Sequence, residues 1–213
     1  MTGMSRQPCS SPSPVAPVVA FDFDGTLTCR DSFVDFLAWR AGRLDFVAGL
    51  PALVPDAVAY GVHRDRGRLK AAFARRFFGA VPRAQLEGDA RRFAAERFEA
   101  LMRPDALACW RDWRDRGARL YVVTASPDIL IAPFARRLRA DGLIATRLAF
   151  DAQDRFAGAL DGPNCRGPEK VARLRALLGP GVRLAAAYGD TAGDREMLAL
   201  AERPGLRVFT ARP

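Results

Sequence analysis

Two aspartates that stand two positions apart can direct their carboxylates into the same small space. Asp22 and Asp24 do so in the run FDFDGTLT, which directly follows a short apolar stretch. One such carboxylate can attack phosphorus while its neighbour handles the proton of the leaving group. Acid pairs also occur in ordinary turns, but an apolar strand that ends at this pair favours a functional loop. The run predicts an acidic phosphate site in which one of the two carboxylates is the nucleophile.

A second pair of acids stands near the other end of the chain. Asp190 and Asp194 occur in the run GDTAGD, where the glycines allow the backbone to approach an ion closely. Carboxylate oxygens suit Mg²⁺, and phosphoryl transfer needs a cation to neutralise phosphate oxygens. Taken alone, the run is also compatible with an aspartate that caps a helix. Its position after a predicted strand favours the metal site.

Two further residues offer groups that bind a phosphoryl oxygen. Thr124 ends an apolar stretch, and its hydroxyl could hold such an oxygen together with the backbone N–H groups that follow. A threonine at a strand end is also common without that role. Lys170 stands near the start of a predicted helix, where a surface lysine is the ordinary interpretation. However, all but two of the 33 basic residues are arginines, and an ammonium presents a point charge that a guanidinium does not copy.

The elements that must position these residues alternate between strands and helices. We predict strands over 18–23, 119–123, 183–188 and 205–209, and helices over 106–116, 128–140, 169–178 and 195–201, with a hairpin over 150–160. This alternation indicates an α/β fold, a Rossmann-like parallel sheet with helices on both faces. Ligands bind beyond the carboxyl ends of the strands in such sheets. Asp22, Thr124 and Asp190 should therefore meet at one edge.

The segment 28–103 shows no clear core strand, and we interpret it as a helical cap inserted into a core of residues 18–27 and 104–213. Apolar residues at three- and four-residue spacing predict cap helices over 32–39, 68–78 and 83–101. The apolar stretch 44–62 is interrupted by two aspartates and two prolines, so we expect a packed cap helix rather than a membrane span. Residues 1–17, rich in Ser and Pro, are predicted to be a disordered leader.

Charge and cysteine usage exclude several classes of partner. The formal net charge of +9 suggests nucleic acid, but the basic residues are scattered, so we expect no nucleic-acid partner. Small anionic substrates and anionic lipid headgroups remain compatible. His63 and the four cysteines do not have the spacing of zinc ligands. We therefore expect free thiols in a reducing, cytoplasmic location. The cysteines are Cys9, Cys29, Cys109 and Cys165.

The ordered motifs resemble those of the haloacid dehalogenase (HAD) superfamily over residues 18–213. The motifs are Asp22-x-Asp24-x-Thr26, Thr124, Lys170 and Gly189-Asp190-x-x-Gly193-Asp194, and the insertion resembles the helical C1 cap of that superfamily. The resemblance implies that Asp22 forms an aspartyl-phosphate, while Asp24 protonates the leaving oxygen and then activates water. It implies an Mg²⁺ site that involves Asp22, Asp24, Asp190 and Asp194. It also implies phosphoryl binding by Thr124 and Lys170, and substrate contacts from Thr26, Asp31, Ala125 and Ser126.

Within the superfamily the chain is similar to subfamily IB, which contains phosphoserine phosphatases and phosphatidylglycerophosphatase C. Paired glycines usually follow the second motif in phosphoserine phosphatases, whereas Ala125-Ser126-Pro127 follow it here, and Asp31 stands where a cap Glu is usual. We therefore expect an Mg²⁺-dependent phosphomonoesterase that acts on a phospholipid headgroup phosphate such as phosphatidylglycerophosphate. Phosphoserine or another small phosphorylated metabolite is the alternative.

The lipid hypothesis extends to the cap. The apolar stretch 44–62 would then contact a lipid or the inner membrane face, as a peripheral membrane contact. Lys70 and the arginines at 64, 66 and 68 would meet the substrate, although a solvated surface is the ordinary interpretation of such residues.

Two hypotheses without phosphatase chemistry are disfavoured. A receiver domain also phosphorylates an aspartate near Mg²⁺, Thr and Lys, but its acidic pair precedes a single acceptor aspartate and it has no long cap. A silent binding protein would be expected to lack a catalytic position, and none is missing from the motifs above.

Overall fold

The computed structural model describes residues 16–63 and 66–213. The strands in chain order are β1 (Val18–Phe21), β2 (Arg119–Pro127), β3 (Gly142–Thr146), β4 (Leu148–Phe150), β5 (Phe156–Leu160), β6 (Leu184–Gly189) and β7 (Ala201–Leu206). The helices are α1 (Ser32–Ala41), α2 (Arg43–Gly49), α3 (Val54–His63), α4 (Arg66–Phe78), α5 (Arg83–Leu101), α6 (Pro104–Asp115), α7 (Asp128–Arg137), α8 (Pro168–Leu178) and α9 (Arg195–Leu198).

A parallel five-stranded sheet with the order β3-β2-β1-β6-β7 forms the centre of the fold. Every residue of β1 is buried, as a strand covered on both faces requires. Val19 and Phe21 pack into the cluster that contains α6 and α7, whereas Val18 and Ala20 pack into the cluster that contains α8 and α9. The predicted α/β class, with helices on both faces of the sheet, is confirmed.

The segment between β1 and α6 forms a helical layer made of α1 to α5. The chain leaves and re-enters the core at one place, because the Cys29 N–H donates to the Leu101 carbonyl at 2.9 Å and the Arg103 N–H donates to the Leu27 carbonyl at 2.8 Å. This crossing lies next to positions 28 and 103, where we propose that the cap begins and ends. Phe93 of α5 packs on Phe134 of α7 with ring centroids 5.9 Å apart, which joins the cap to the core.

Several predicted elements differ from the observed ones. β3 was not predicted, since GLIAT is short and follows directly on a helix. The last strand is β7 rather than 205–209. AERPGL has few residues that favour strands, and it is held by backbone pairing to β6, with Leu184 opposite Ala201 and Gly189 opposite Leu206. The predicted hairpin is present as β4–β5, and Arg75 of α4 donates to its Gly158 carbonyl at 3.2 Å.

The stretch 44–62 is less buried than expected. α2, a 3₁₀ turn (Leu50–Leu53) and α3 follow one another, and most of their apolar side chains are exposed. Among the described residues, Arg43–Val62 is the one helical stretch whose length and composition would allow it to cross a membrane. This differs from the packed cap helix that we expect at this place from the sequence. Only 11% of its apolar window is buried, so it is not a helix packed within the core.

The predicted leader lies almost entirely outside the described residues, as does Cys9. Of residues 1–17 only the last two are described. The Pro17 carbonyl accepts from the Arg119 N–H at 2.8 Å, so β1 is already aligned with β2 at that point. Cys29, Cys109 and Cys165 are free thiols, as predicted.

Candidate active site

The carboxyl ends of β1, β2 and β6 meet at one edge of the sheet, under the cap. A cavity of about 520 Å³ opens there. The sequence-predicted residues that line it are Asp22, Asp24, Asp31, Thr124, Ala125, Ser126, Lys170, Asp190 and Asp194. The fold therefore brings together residues that are distant in sequence, as the strand-end argument predicts.

Asp22 lies at the floor of this cavity. It follows β1 in extended conformation, and its N–H donates to the Tyr188 carbonyl of β6 at 2.9 Å. Its side chain is buried, and Lys170 donates to Oδ1 at 2.5 Å. Burial raises the pKa of Asp22 to about 7, and the Lys170 ammonium opposes that rise. The carboxylate is desolvated but charge-paired, which suits a nucleophile.

Lys170 stands in the first turn of α8 and is 2% exposed. Its Nζ donates to Asp22, to the Val123 carbonyl at 2.7 Å and to Asp194 Oδ1 at 2.7 Å. Burial alone would lower the pKa of this ammonium, but the attraction of Asp22 and Asp194 outweighs burial and raises it. Lys170 is therefore a cation fixed at the centre of an acidic cluster.

Asp190 carries a buried carboxylate oxygen without a hydrogen-bond partner, Oδ1. Carboxylate oxygens of Asp22, Asp190 and Asp194 lie within 4.8 Å of one another. Burial and the neighbouring Asp194 raise the pKa of Asp190. Three close carboxylates and one unpartnered oxygen fit a hard cation, which would supply the missing positive charge.

Two glycines make this cluster sterically feasible. Gly25 has φ +81°, and a Cβ there would stand 2.2 Å from Asp190 Oδ2. A Cβ at Gly189 would stand 2.4 Å from the Cβ of Asp194. Both oxygens of Asp194 are already used, since Lys170 donates to Oδ1 and Thr191 donates to Oδ2 from its N–H at 2.9 Å. Asp194 thus serves to hold Lys170 and the loop, which leaves Asp190 as the freer acid.

Asp24 is held from two sides. The Ser32 N–H donates to its Oδ1 at 2.7 Å, and the Ser126 hydroxyl donates to its Oδ2 at 2.5 Å. The Thr124 hydroxyl accepts from the Ser126 N–H at 3.0 Å. Ser126 therefore contacts Asp24 directly, a role that the sequence did not reveal.

The remaining predicted substrate residues fall in different places. Thr26 is buried behind Asp22, with its hydroxyl 3.5 Å from Asp22 Oδ2, and is not among the lining residues in the described part of the chain. Ala125 lines the cavity, and its carbonyl accepts from Thr146 at 2.8 Å. Asp31 lines the cavity as the N-cap of α1, where it accepts from the Val34 N–H at 2.9 Å.

The cap contributes a cation that the sequence argument treated as ordinary surface. Lys70 of α4 donates to the Ala125 carbonyl and stands 5.5 Å from the ring centroid of Phe33. Burial lowers the pKa of Lys70, although Asp24 and Asp31 oppose that shift. Lys70 is the other lysine of an arginine-rich chain, so its residue type is as unusual in this composition as that of Lys170. Of the cap arginines, Arg68 is exposed, whereas the side chains at positions 63–66 lie outside the described residues.

The outer part of the cavity is apolar on the cap side and basic at its rim. Arg30 and Arg166 line it, and neither was predicted as a site residue. Arg166 donates to the Thr191 hydroxyl at 3.3 Å. The apolar lining consists of Phe33, Val34, Tyr60, Leu69 and Phe73.

Comparison with known proteins identifies the family of the chain. The family model of haloacid dehalogenase-like hydrolases matches residues 19–199. Protein CicA of Caulobacter vibrioides is 56% identical over 197 residues, which covers 92% of this chain and 88% of that protein. A phosphoserine phosphatase of Halobacterium salinarum is 35% identical over 187 residues, which covers 85% and 81%.

Solved structures share the fold. A protein of unknown function from Bordetella pertussis Tohama I has a TM-score of 0.69 at 23% identity, over 89% of this chain and 88% of that one. A structure described as a phospho-aspartyl intermediate analogue of phosphoserine phosphatase has a TM-score of 0.59 at 21% identity, over 89% and 85%.

Proposed function

This chain belongs to the haloacid dehalogenase-like hydrolases and is a phosphatase of that family, and we propose that it cleaves phosphate monoesters with Mg²⁺ through an aspartyl-phosphate on Asp22. One observation carries the proposal. The buried Asp22 carboxylate shares Lys170 with Asp194 and lies beside the unpartnered oxygen of Asp190. An arrangement of this kind fits an attacking carboxylate, a phosphoryl group and a divalent cation.

In the proposed reaction a carboxylate oxygen of Asp22 attacks phosphorus, and the bond from phosphorus to the leaving oxygen breaks. Asp24 donates the proton that the leaving oxygen needs, while Ser126 and the Ser32 N–H hold its carboxyl in place. Asp24 then takes a proton from the water that attacks phosphorus, and the bond to Asp22 breaks to release phosphate. Thr124 and Lys170 would bind the phosphoryl oxygens.

The residues present fit a magnesium ion. Asp22, Asp190 and the backbone carbonyl of Asp24 would hold it, with Asp194 in support. When bound, Mg²⁺ supplies charge neutralisation for the phosphoryl oxygens.

The reaction is tested with an aryl phosphate. Purified protein should release phosphate when Mg²⁺ is present, and a chelator should stop the release. Asp22→Asn keeps the shape of the side chain and removes its nucleophilic charge, so we expect a loss of at least about a thousandfold in kcat. Full activity in this variant, or activity that survives chelation, contradicts the mechanism.

The walls of the cavity favour an amphiphilic monoester, such as a phospholipid headgroup phosphate. Beyond the acidic floor, the cap offers an ammonium at Lys70 and an apolar wall that includes Phe33 and Phe73. A second anionic group can pair with Lys70, and an apolar substrate portion can lie on the wall.

Phosphoserine is the second candidate. The name of the Halobacterium salinarum relative and the presence of Asp31 in the cavity support it, since Asp31 could meet a substrate ammonium. Two features argue against it, namely the apolar wall and the engagement of Asp31 with the Val34 N–H.

A substrate panel separates the two candidates. Phosphoserine, a lysophospholipid phosphate and detergent-solubilised phosphatidylglycerophosphate are compared by kcat/KM, in the wild type and in Lys70→Met. The lipid hypothesis predicts the highest value for a lipid substrate and a drop of roughly tenfold or more in Lys70→Met, about the loss of one charge-assisted hydrogen bond. Aryl phosphate hydrolysis, which needs no second anionic group, should change less. A preference for phosphoserine would overturn the lipid assignment and leave the phosphatase mechanism intact.

A further inference from the structure

A row of apolar side chains runs along the outer side of α2, the following 3₁₀ turn and α3. We name this row the cap stripe; it consists of Leu44, Val47, Leu50, Val54, Val58 and Val62. Its members are exposed by fractions from 37% at Leu50 to 87% at Leu44. Contiguous apolar surface of this kind on a folded domain marks an interaction site.

The spacing of the cap stripe keeps it on one side of the helical path. Successive members stand three or four positions apart, and the separation of Leu44 from Val62 corresponds to about five full turns. The backbone remains right-handed helical at Gly49, Leu50 and Val54, where the elements join. The six side chains therefore form a single ridge about 30 Å long, at the usual rise per residue.

The opposite side of the same segment is attached to the cap. Gly49 and Leu53 are buried there, and the Phe46 ring packs at a tilt against Phe77 of α4, with centroids 4.9 Å apart. Asp56 is turned away from the stripe, toward Arg75 at 3.9 Å. A helix that is anchored on one side and apolar on the other has the character of an interfacial helix, and the charges of Asp45 and Asp56 disfavour burial across a bilayer.

We propose that the cap stripe docks this protein on the surface of an anionic phospholipid bilayer, with α2 and α3 lying in the plane of the interface. The charge of the chain is complementary to such a surface, at +9. Arginines flank the stripe in the sequence, with Arg43 directly before Leu44 and Arg64 two positions after Val62. Apolar insertion combined with basic flanks is what binds peripheral helices to anionic lipid.

A second copy of the chain fits the stripe less well. A stable protein interface takes roughly 800 Å² and about 20–30 residues from each partner, whereas six side chains in single file offer far fewer. Two chains that each carry +9 also repel one another. The lipid surface needs neither a matching shape nor a matching charge pattern.

The docked orientation has a consequence for the active site, which rests on the proposed function. Tyr60 on α3 and Val34 on α1 line the cavity, and Val34 is 41% exposed. The stripe and the apolar wall of the cavity are thus two sides of the same cap layer. Docking of α3 would therefore bring one lining residue of the cavity, Tyr60, into the helix that lies at the interface, where a lipid monoester is presented.

The test is co-sedimentation of the full chain with vesicles of phosphatidylglycerol and phosphatidylcholine in equal parts, and with pure phosphatidylcholine vesicles. We expect the wild type to bind the anionic vesicles, and Val58→Glu/Val62→Glu to lose at least tenfold in partition coefficient. The matched control is Leu177→Glu/Val208→Glu, at two other exposed apolar positions (57% and 53% exposed) outside the stripe; it should bind like the wild type. A second stripe variant, Leu44→Ser/Val47→Ser, repeats the test on α2.

Activity on a soluble aryl phosphate is measured in parallel. This activity should be unchanged in the stripe variants, and unchanged activity shows that these variants are folded. A failure of docking is thereby distinguished from a failure of the phosphatase proposal. Three results overturn the docking proposal: no binding of the wild type to anionic vesicles, equal loss of binding in the control, or a wild-type dimer that the stripe variants convert to monomer without any vesicle binding.

Discussion

Lys170→Met tests the electrostatic core of the site most directly. The side chain is 2% exposed, and its ammonium donates to Asp22, Asp194 and the Val123 carbonyl at 2.5, 2.7 and 2.7 Å. Met fills a similar volume without the charge. Removal of one partner from a buried ion pair leaves an uncompensated charge and costs about 3–5 kcal/mol. We expect a loss of that size in the free energy of unfolding.

Urea unfolding followed by tryptophan fluorescence measures the loss, in chelator so that no divalent cation compensates the acids. The m-value should stay constant, so that the midpoint reports stability. The matched control is Lys70→Met, which removes the only other lysine of the chain. Lys70 is half-buried and burial lowers its pKa, so its removal should cost less than about 1.5 kcal/mol, the net worth of one ordinary hydrogen bond.

A double variant identifies the cause of the effect. Asp22→Asn removes one of the charges that Lys170 compensates, so Lys170→Met/Asp22→Asn should be more stable than Lys170→Met alone, by at least about 1 kcal/mol. The reasoning is refuted if Lys170→Met loses less than about 1 kcal/mol, or if the two single losses simply add.

Three further outcomes follow from the same geometry. The pKa of Asp22 is about 7 in the folded protein against 3.8 for an ordinary aspartate, so in chelator its contribution to stability is lost as the pH rises through about 7. The melting temperature of the wild type should therefore fall relative to that of Asp22→Asn between about pH 5 and pH 8, and parallel curves would contradict this. Gly25→Ala should lower kcat at least about a hundredfold, because a Cβ at this position would stand 2.2 Å from Asp190 and φ is +81°. The control is Gly117→Ala, which is also at positive φ but has open space around it. Equal activity of the two variants would contradict this prediction. Burial raises the pKa of Cys165 to about 11, so about one Cys165 thiol in a thousand is ionised at pH 8. After iodoacetamide treatment of the native protein, mass spectrometry should find Cys165 unmodified and the half-exposed Cys29 modified.

The sequence was most informative where function and local structure depend on the same residues. Asp22 and Asp190 directly follow buried strands of a parallel sheet, and Thr124 lies near the end of β2, which extends to Pro127 rather than to the predicted 123. Ligands bind beyond the carboxyl ends of such strands. The meeting of these residues in one cavity could therefore be predicted without knowledge of side-chain contacts. By contrast β7 has few residues that favour strands, and only its pairing to β6 identifies it.

The contacts between distant segments could not be predicted. Ser126 holds Asp24 across 102 positions, and Lys70 reaches Ala125 across 55. Periodicity reports which side of a helix is apolar, but the exposed 44–62 stretch shows that an apolar side need not face the core. Whether an apolar side is buried depends on which other segment of the cap packs against it. The sequence of the helix itself does not contain that information.

The two lysines show how composition and structure together assign roles. In a chain whose other Lys and Arg residues are all arginines, both ammonium groups line the same cavity, one from the core and one from the cap. The pKa values of the two lysines shift in opposite directions. The carboxylates around Lys170 raise its pKa, whereas burial lowers the pKa of Lys70. Lys170 therefore remains charged at the acidic floor of the cavity. Lys70 donates to the uncharged Ala125 carbonyl and stands over the Phe33 ring. An anion that enters the cavity could add a charged partner, so we expect the identity of the substrate to depend on Lys70 and the reaction itself on Lys170.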